Sequence, residues 1–255
     1  MLFRSPRFSA RFDVTPGAPV LPPAPETQRQ ASVRGLPAVG VLKATPPFAP
    51  VGASVTVEGD GFAAGKSYRL TWATVTGNRV AAGGWEEGLK TIAEAKADSG
   101  GRLRFAIKVP DDLGGAHTLS VEDGSVKKTG ALWVTTSALP LDVARGPAGT
   151  TVTLHLKGVG WSETANIYHV VYDNNYSGYA CGFNSQGDVT VFMPATGEPG
   201  WHFVDLYPGI YKGQETRPNN FRIPQLTYAA DHPGEDLPAF HFAIEVTDAG
   251  RAVSQ

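Results

Sequence analysis

The chain has 255 residues, of which 42% are hydrophobic, with 30 glycines, 20 prolines and 22 Lys+Arg against 24 Asp+Glu. Glycine supplies positive φ and proline pre-sets turn geometry, so this composition excludes long helices and favours short strands joined by tight turns. No apolar run reaches the roughly 20 residues of a membrane span, and residues 139–255 carry 6 Lys+Arg against 12 Asp+Glu, the wrong sign for the clustered cations that a nucleic-acid partner requires.

Residues 1–40 open with Met1-Leu2-Phe3-Arg4-Ser5, which matches the translation of a sequencing-adapter end, so the natural start is expected to lie elsewhere. Pro16, Pro19, Pro22, Pro23 and Pro25 follow with few bulky apolar residues and no periodicity. This reads as a disordered, proline-rich linker.

A first unit is expected over residues 41–138. After a turn-rich stretch from Pro46 to Gly52, Ser54-Val55-Thr56-Val57-Glu58 alternates as a strand with one buried face does. Gly59-Asp60-Gly61 turns the chain and sets Phe62 to plug the end of a core. Tyr68 to Trp72 is the next strand, with Tyr68, Leu70 and Trp72 on one face and Trp72 at the centre of the core. The residues from Glu86 to Lys96 also allow a short helix. A strand from Lys90 to Ala97 is preferred, because Ser99-Gly100-Gly101 is a hairpin turn that feeds the strong strand Arg102 to Val109. His117 to Val121 and Ala131 to Thr135 bring the count to about seven strands, enough for a small sandwich.

A second unit, residues 139–255, repeats the order. Thr151 to Leu156 is followed by the turn Gly158-Val159-Gly160-Trp161, the strand Ile167 to Tyr172, an aromatic loop from Asp173 to Phe183, and the strands Val189 to Met193 and Trp201 to Tyr207. A long insertion, 209–238, precedes a last strand from Phe240 to Val246. A connection of that length is either functional or loosely ordered.

The repetition has a signature. Gly115 to Gly124 and Gly200 to Gly209 both read G-x-H-x-apolar-x-apolar-x-x-G, 85 residues apart. Each follows an alternating strand that ends in proline, Pro110 or Pro194, and each lies downstream of a Gly-x-Gly-aromatic turn that ends in Phe62 or Trp161. Three matching elements in one order mark two homologous domains. On this alignment the second unit holds two extra residues between Gly149 and Gly160.

This order of elements resembles bacterial immunoglobulin-like domains of the IPT/TIG type, from residue 41 to about residue 247. The resemblance implies an all-β protein, two tandem immunoglobulin-like β-sandwiches after a Pro-rich linker. It implies the role of a spacer, an adhesive module or an accessory domain of a secreted or cell-surface protein; the leading expectation is a non-catalytic spacer or adhesion module, a fragment of a larger bacterial protein, and the alternative, raised by the aromatic residues below, is a carbohydrate-binding accessory module. It supplies no catalytic residues and no cofactor, and the partners it suggests are a glycan or another surface protein.

The residues give little chemistry of the catalytic kind. There is no G-x-S-x-G, H-E-x-x-H, P-loop or dinucleotide fingerprint. The carboxylate pairs Glu86-Glu87, Asp111-Asp112 and Glu235-Asp236 are adjacent in sequence, and neighbours on an extended chain point to opposite faces. Cys181 is the lone cysteine and is read as a small apolar strand residue. His117 and His202 hold equivalent positions, as structural residues do; His155, His169 and His241 sit in alternating strands; and His232 lies in an acidic loop without a ligand pair of metal-binding spacing. The one pointed candidate is Tyr172, Asp173, Asn174, Asn175, Tyr176 and Tyr179. Flat rings stack on the apolar faces of sugars while amides and carboxylates bind hydroxyls. Asp173, Asn174 and Asn175 also suit calcium, but the preferred reading is packing: Tyr172 ends a core strand while Tyr176 and Tyr179 pack under a hairpin, since strands favour aromatics anyway. Trp201, Tyr207 and Tyr211 carry the same ambiguity.

Overall fold

The computed structural model describes residues 17–20, 40–78, 81–124, 126–160, 167–209 and 238–248. Trp161, Tyr211, His232 and most of the expected linker and of the 209–238 insertion lie outside these residues. Alternating sequence produces two packed sheet pairs. The first contains β1 (Lys43–Thr45), β2 (Phe48–Pro50), β3 (Ser54–Gly59), β4 (Ser67–Gly77), β5 (Trp85–Lys96), β6 (Leu103–Lys108), β7 (Gly115–Asp123) and β8 (Val126–Thr135). Its sheets run β1-β3-β6 and β2-β8-β7-β4-β5. The second contains β9 (Ser137–Ala138), β10 (Arg145–Pro147), β11 (Thr151–Lys157), β12 (Ile167–Tyr172), β13 (Asn175–Cys181), β14 (Val189–Pro194), β15 (Gly200–Gly209) and β16 (Phe240–Thr247). Its sheets run β9-β11-β14 and β10-β16-β15-β12-β13.

The two orders are identical element for element. In each, the second strand pairs parallel with the last, β2 with β8 and β10 with β16, while the remaining pairs are antiparallel. A three-stranded sheet facing a five-stranded one with this crossing of the first strands is the immunoglobulin-like sandwich. Each sandwich has its own core. Leu42, Val57, Leu70, Trp72, Phe105 and Leu132 centre the first, and Leu154, Tyr168, Val204, Leu206 and Ile244 the second. Phe62 does plug the first core, edge-on to Tyr68 at 4.9 Å.

Three sequence expectations change. The turn-rich stretch before Gly52 contains a strand, β2, and the ambiguous Glu86 segment is wholly strand, paired along all of β4. β5 is a sheet edge with little buried surface, so its alternation is weak. Its charges, Glu86, Glu87, Lys90, Glu94 and Lys96, suit an edge that must not recruit foreign strands. The expected aromatic loop Asp173 to Phe183 is a hairpin whose second arm is β13.

The repeat alignment also shifts by two residues. Gly52 N–H donates to Val109 O and Gly149 N–H to Ala195 O; Phe62 N–H donates to Gly101 O and Val159 N–H to Gly187 O. Gly61 and Gly158 both take positive φ, 73° and 63°. Gly158 therefore matches Gly61, not Gly59, and Val159 rather than Trp161 matches Phe62. No extra residues separate Gly149 from this turn: the offset is 97 at both ends.

The loop Asp111-Asp112-Leu113-Gly114, between β6 and β7 of the first sandwich, meets the second. Lys157 Nζ lies 2.8 Å from Asp111 Oδ2 and 2.7 Å from Asp188 Oδ1. Burial pulls this ammonium down, but its bonds to Asp111 and Asp188 outweigh that and hold it above the ordinary lysine value. A Cβ on Gly114 would stand 2.0 Å from Gly158 O, so only glycine fits where the two backbones meet. Thr136 Oγ1 donates to the same carbonyl, 2.8 Å away.

Candidate functional site

The candidate residues gather at the hairpin between β12 and β13. Asp173 and Asn174 both have positive φ, 47° and 62°, the left-handed pair of a two-residue type I′ turn, which Asp and Asn tolerate better than other side chains. β13 then carries one extra residue, Ser177: Val170 pairs with Gly178 and Val171 with Tyr176. This bulge has a geometric consequence. Tyr176 and Tyr179 are three residues apart, yet they oppose Val171 and His169, which are two apart. Both rings therefore stand on the same, outer face of the sheet.

The six predicted residues divide. Tyr176 and Tyr179 are 49% and 55% exposed, and Asn174 and Asn175 are exposed at the tip. Tyr172 points the other way. It stacks on His202 at 5.7 Å, its hydroxyl donates to Thr196 O at 2.7 Å and it accepts Thr196 N–H at 3.1 Å. Asp173 Oδ1 accepts Phe203 N–H at 2.9 Å, and Oδ2 lies 2.6 Å from His202 Nδ1. Both its oxygens have partners within the fold, while Asn175 Nδ2 donates to Asp173 O. Tyr172 and Asp173 hold the hairpin that Tyr176 and Tyr179 occupy.

β15 supplies Trp201 and Tyr207, which the sequence leaves ambiguous, and Phe203, which it does not single out. His202, Val204 and Leu206 face inward on this strand, so alternation sends Trp201, Phe203, Asp205 and Tyr207 outward. Trp201 and Phe203 are 39% and 38% exposed. Asp205 Oδ1 lies 2.7 Å from His241 Nδ1 on β16, and Glu245 pairs with Arg145 at 3.1 Å. The outer face of this sheet thus carries rings beside carboxylates that already have partners. Phe203 is legible in principle, since the inward choice of Val204 and Leu206 fixes the parity of its neighbours.

The corresponding face of the first sandwich is different. Its central rows hold Thr71 bonded to Ser120, 2.7 Å between hydroxyls, and Arg69 bonded to Glu94. Its rings Phe48 and Trp133 sit toward one edge and contact each other at 6.4 Å, while Trp85 and the exposed Leu89 lie on β5 at the other edge. One topology therefore carries a polar face in one copy and an aromatic face in the other.

Beneath both faces lies the same device. His117 and His202 each place Nε2 2.8 Å from the carbonyl four residues upstream, Leu113 O and Glu198 O. His117 stacks on Trp72 and His202 on Tyr172, and these two aromatics are equivalent, since Trp72 pairs with Leu119 and Tyr172 with Val204, each two residues past its histidine. The structural reading of the G-x-H motif thus has a mechanism: the ring ties the start of one strand to the preceding loop, as a tyrosine corner does.

In the second copy Nδ1 meets a carboxylate. The hydrogen bond to Asp173, then that to Glu198 O, raise the His202 pKa above the ordinary histidine value, with burial opposing them. Only the doubly protonated ring donates to both acceptors. A folded-state pKa raised above the unfolded one stabilises fully below about pH 6.5, and that contribution is lost as pH rises through the folded value. The midpoint of thermal unfolding of the second sandwich should therefore fall by a few degrees as pH rises from about 5.5 to about 8.5. His202→Gln should flatten that dependence; an unchanged slope in the variant would assign it to other groups.

No family model and no curated protein sequence matches the chain. Similar solved structures include the tandem immunoglobulin domains A164–A165 of titin, at 10% identity and TM-score 0.29, with 78% of this chain and 90% of that chain covered. Domains 3 and 4 of rat CD4 are 11% identical at TM-score 0.28, covering 64% and 91%. A Salmonella alpha-2-macroglobulin is 12% identical at TM-score 0.28, covering 81% of this chain and 16% of that one. At these TM-scores the likenesses carry no argument, and the immunoglobulin-like assignment rests on strand order and register.

Proposed function

We propose that this chain is a non-catalytic binding module of an extracellular or cell-surface protein, built from two IPT/TIG-type domains over residues 41–138 and 139–255. The second domain binds carbohydrate through the outer face of its five-stranded sheet, and the first is a spacer. The observation that carries this reading is the contrast between the two faces: a pure spacer has no use for four large rings, Tyr176, Tyr179, Phe203 and Trp201, left 38–55% exposed on one copy of a shared fold. Rings with turn amides beside them suit the apolar faces and hydroxyls of sugars.

The test is a glycan array and an insoluble-polysaccharide pull-down on the full chain, with Tyr176→Ala/Tyr179→Ala as the comparison. Both tyrosines are solvent-facing, so the double variant should melt within a few degrees of the parent while losing at least about tenfold in affinity. A folded parent that retains no glycan would leave adhesion to another protein as the function of this face.

A further inference from the structure

The register of the second sandwich orders its exposed rings. Tyr179 lies in the row of His169 and Tyr207, and Tyr176 in the row of Val171, Asp205 and His241. Phe203 occupies the next outward row of β15, beside Ala243, and Trp201 the row after that, beside Glu245. Each exposed ring is thus one outward row beyond the last, and the series crosses from β13 to β15 between Tyr176 and Phe203. Successive outward rows are two residues apart, about 7 Å, so the four rings span about 20 Å along the strands and about 10 Å across two strand spacings.

From this ladder we infer that the ligand of the carbohydrate-binding face is an internal stretch of a neutral, extended, β-linked polysaccharide of about four sugars, laid diagonally from Tyr179 to Trp201. The inference rests on the carbohydrate reading above and goes further in chain length, direction and charge. A binder of single sugars or chain ends encloses them. Here the rings are strung along β13 and β15, on either side of the buried outward side chains His169 and Val171 of β12, where only a ligand that continues in a line reaches all of them. Straightness follows from the same spacing, since a coiled α-linked chain would leave the sheet after one or two rings. Neutrality follows from the polar groups on the face: Asp205 Oδ1 is already engaged by His241 Nδ1 and Glu245 is paired with Arg145. No cation is left over among these described residues to hold an anionic sugar, and residues 139–255 carry twice as many acidic as basic side chains.

Titration calorimetry on the full chain with β-1,4-linked gluco-, manno- and xylo-oligosaccharides of two to six units tests this. Affinity should rise with each unit up to about four and then level off. Tyr176→Ala/Tyr179→Ala and Phe203→Ser/Trp201→Ser should each bring the plateau forward to about two units and weaken tetrasaccharide binding about tenfold. Circular dichroism melts identify a variant that has lost its fold, and for the β15 pair the single substitution Trp201→Ser then replaces the double one. Equal affinity for the di- and hexasaccharide, or a preference for alginate or pectate, would overturn the ladder while leaving carbohydrate binding in place. Failure of every oligosaccharide and polysaccharide to bind the folded chain would overturn both readings, and sedimentation velocity would then show whether a second copy covers the face.

Discussion

Trp72→Ala should cost the first sandwich about 3–5 kcal/mol, with the true value toward the upper end. Three losses coincide. The ring is fully buried at the centre of the first core, so its removal leaves a cavity that close-packed neighbours fill only in part. It also stacks on His117, 4.3 Å between centroids and 16° between planes. Finally, Trp72 Nε1 donates to Asp112 Oδ2 at 2.8 Å, and Asp112 is itself buried. A carboxylate that loses its donor inside a core is costly. Since a domain of this size is stable by only about 5–15 kcal/mol, the first transition in a urea titration should move far toward zero denaturant while the second stays in place. Trp72→Phe separates the contributions, because it keeps most of the packing and removes only the N–H; its cost should be about 1–3 kcal/mol. Equal midpoints for parent and Trp72→Ala would mean that this ring is not where the first core is held.

Gly187→Ala should destabilise the second sandwich by about 3 kcal/mol, combining left-handed backbone strain with overpacking. Gly187 has φ +65°, and an added Cβ would stand 2.7 Å from Val159 O, 2.9 Å from Val159 N and 3.1 Å from Leu113 Cα. All three are backbone atoms, so none can rotate aside, and the last belongs to the first sandwich. Gly149→Ala is the control. Its φ is +94° but nothing lies within 4 Å of its Cβ, so it should cost only about 1–2 kcal/mol of conformational strain. Urea midpoints of the two variants give the collision energy by difference. If the two fall together, contact around Gly187 contributes nothing beyond φ.

Much of this architecture is legible in the order of residues alone. The alternation of Ser54 to Glu58 and Arg102 to Val109 already places these strands, because a period of two has one physical meaning. The G-x-H repeat already pairs His117 with His202, whose bonds to the carbonyls four residues upstream are the same. What alternation does not reach are the edges. β2, β5, β10 and β13 bury little, so no strong selection for apolar residues marks them, and β13 reads as a loop.

The class of fold, its duplication and the core rings can be read from residue order, because burial writes a periodic pattern into strands with one inner face. Which aromatics face outward depends on how the strands pair. Tyr172 and Tyr176 look alike in sequence, four residues apart. A type I′ turn and a one-residue bulge send the first into the core edge on His202 and the second to solvent. Neither the bulge nor the neighbouring strand that completes the face leaves a local mark. The ladder from Tyr179 to Trp201 joins residues from a hairpin arm and from a strand more than twenty positions away, and it exists only once hydrogen-bond register has set their rows.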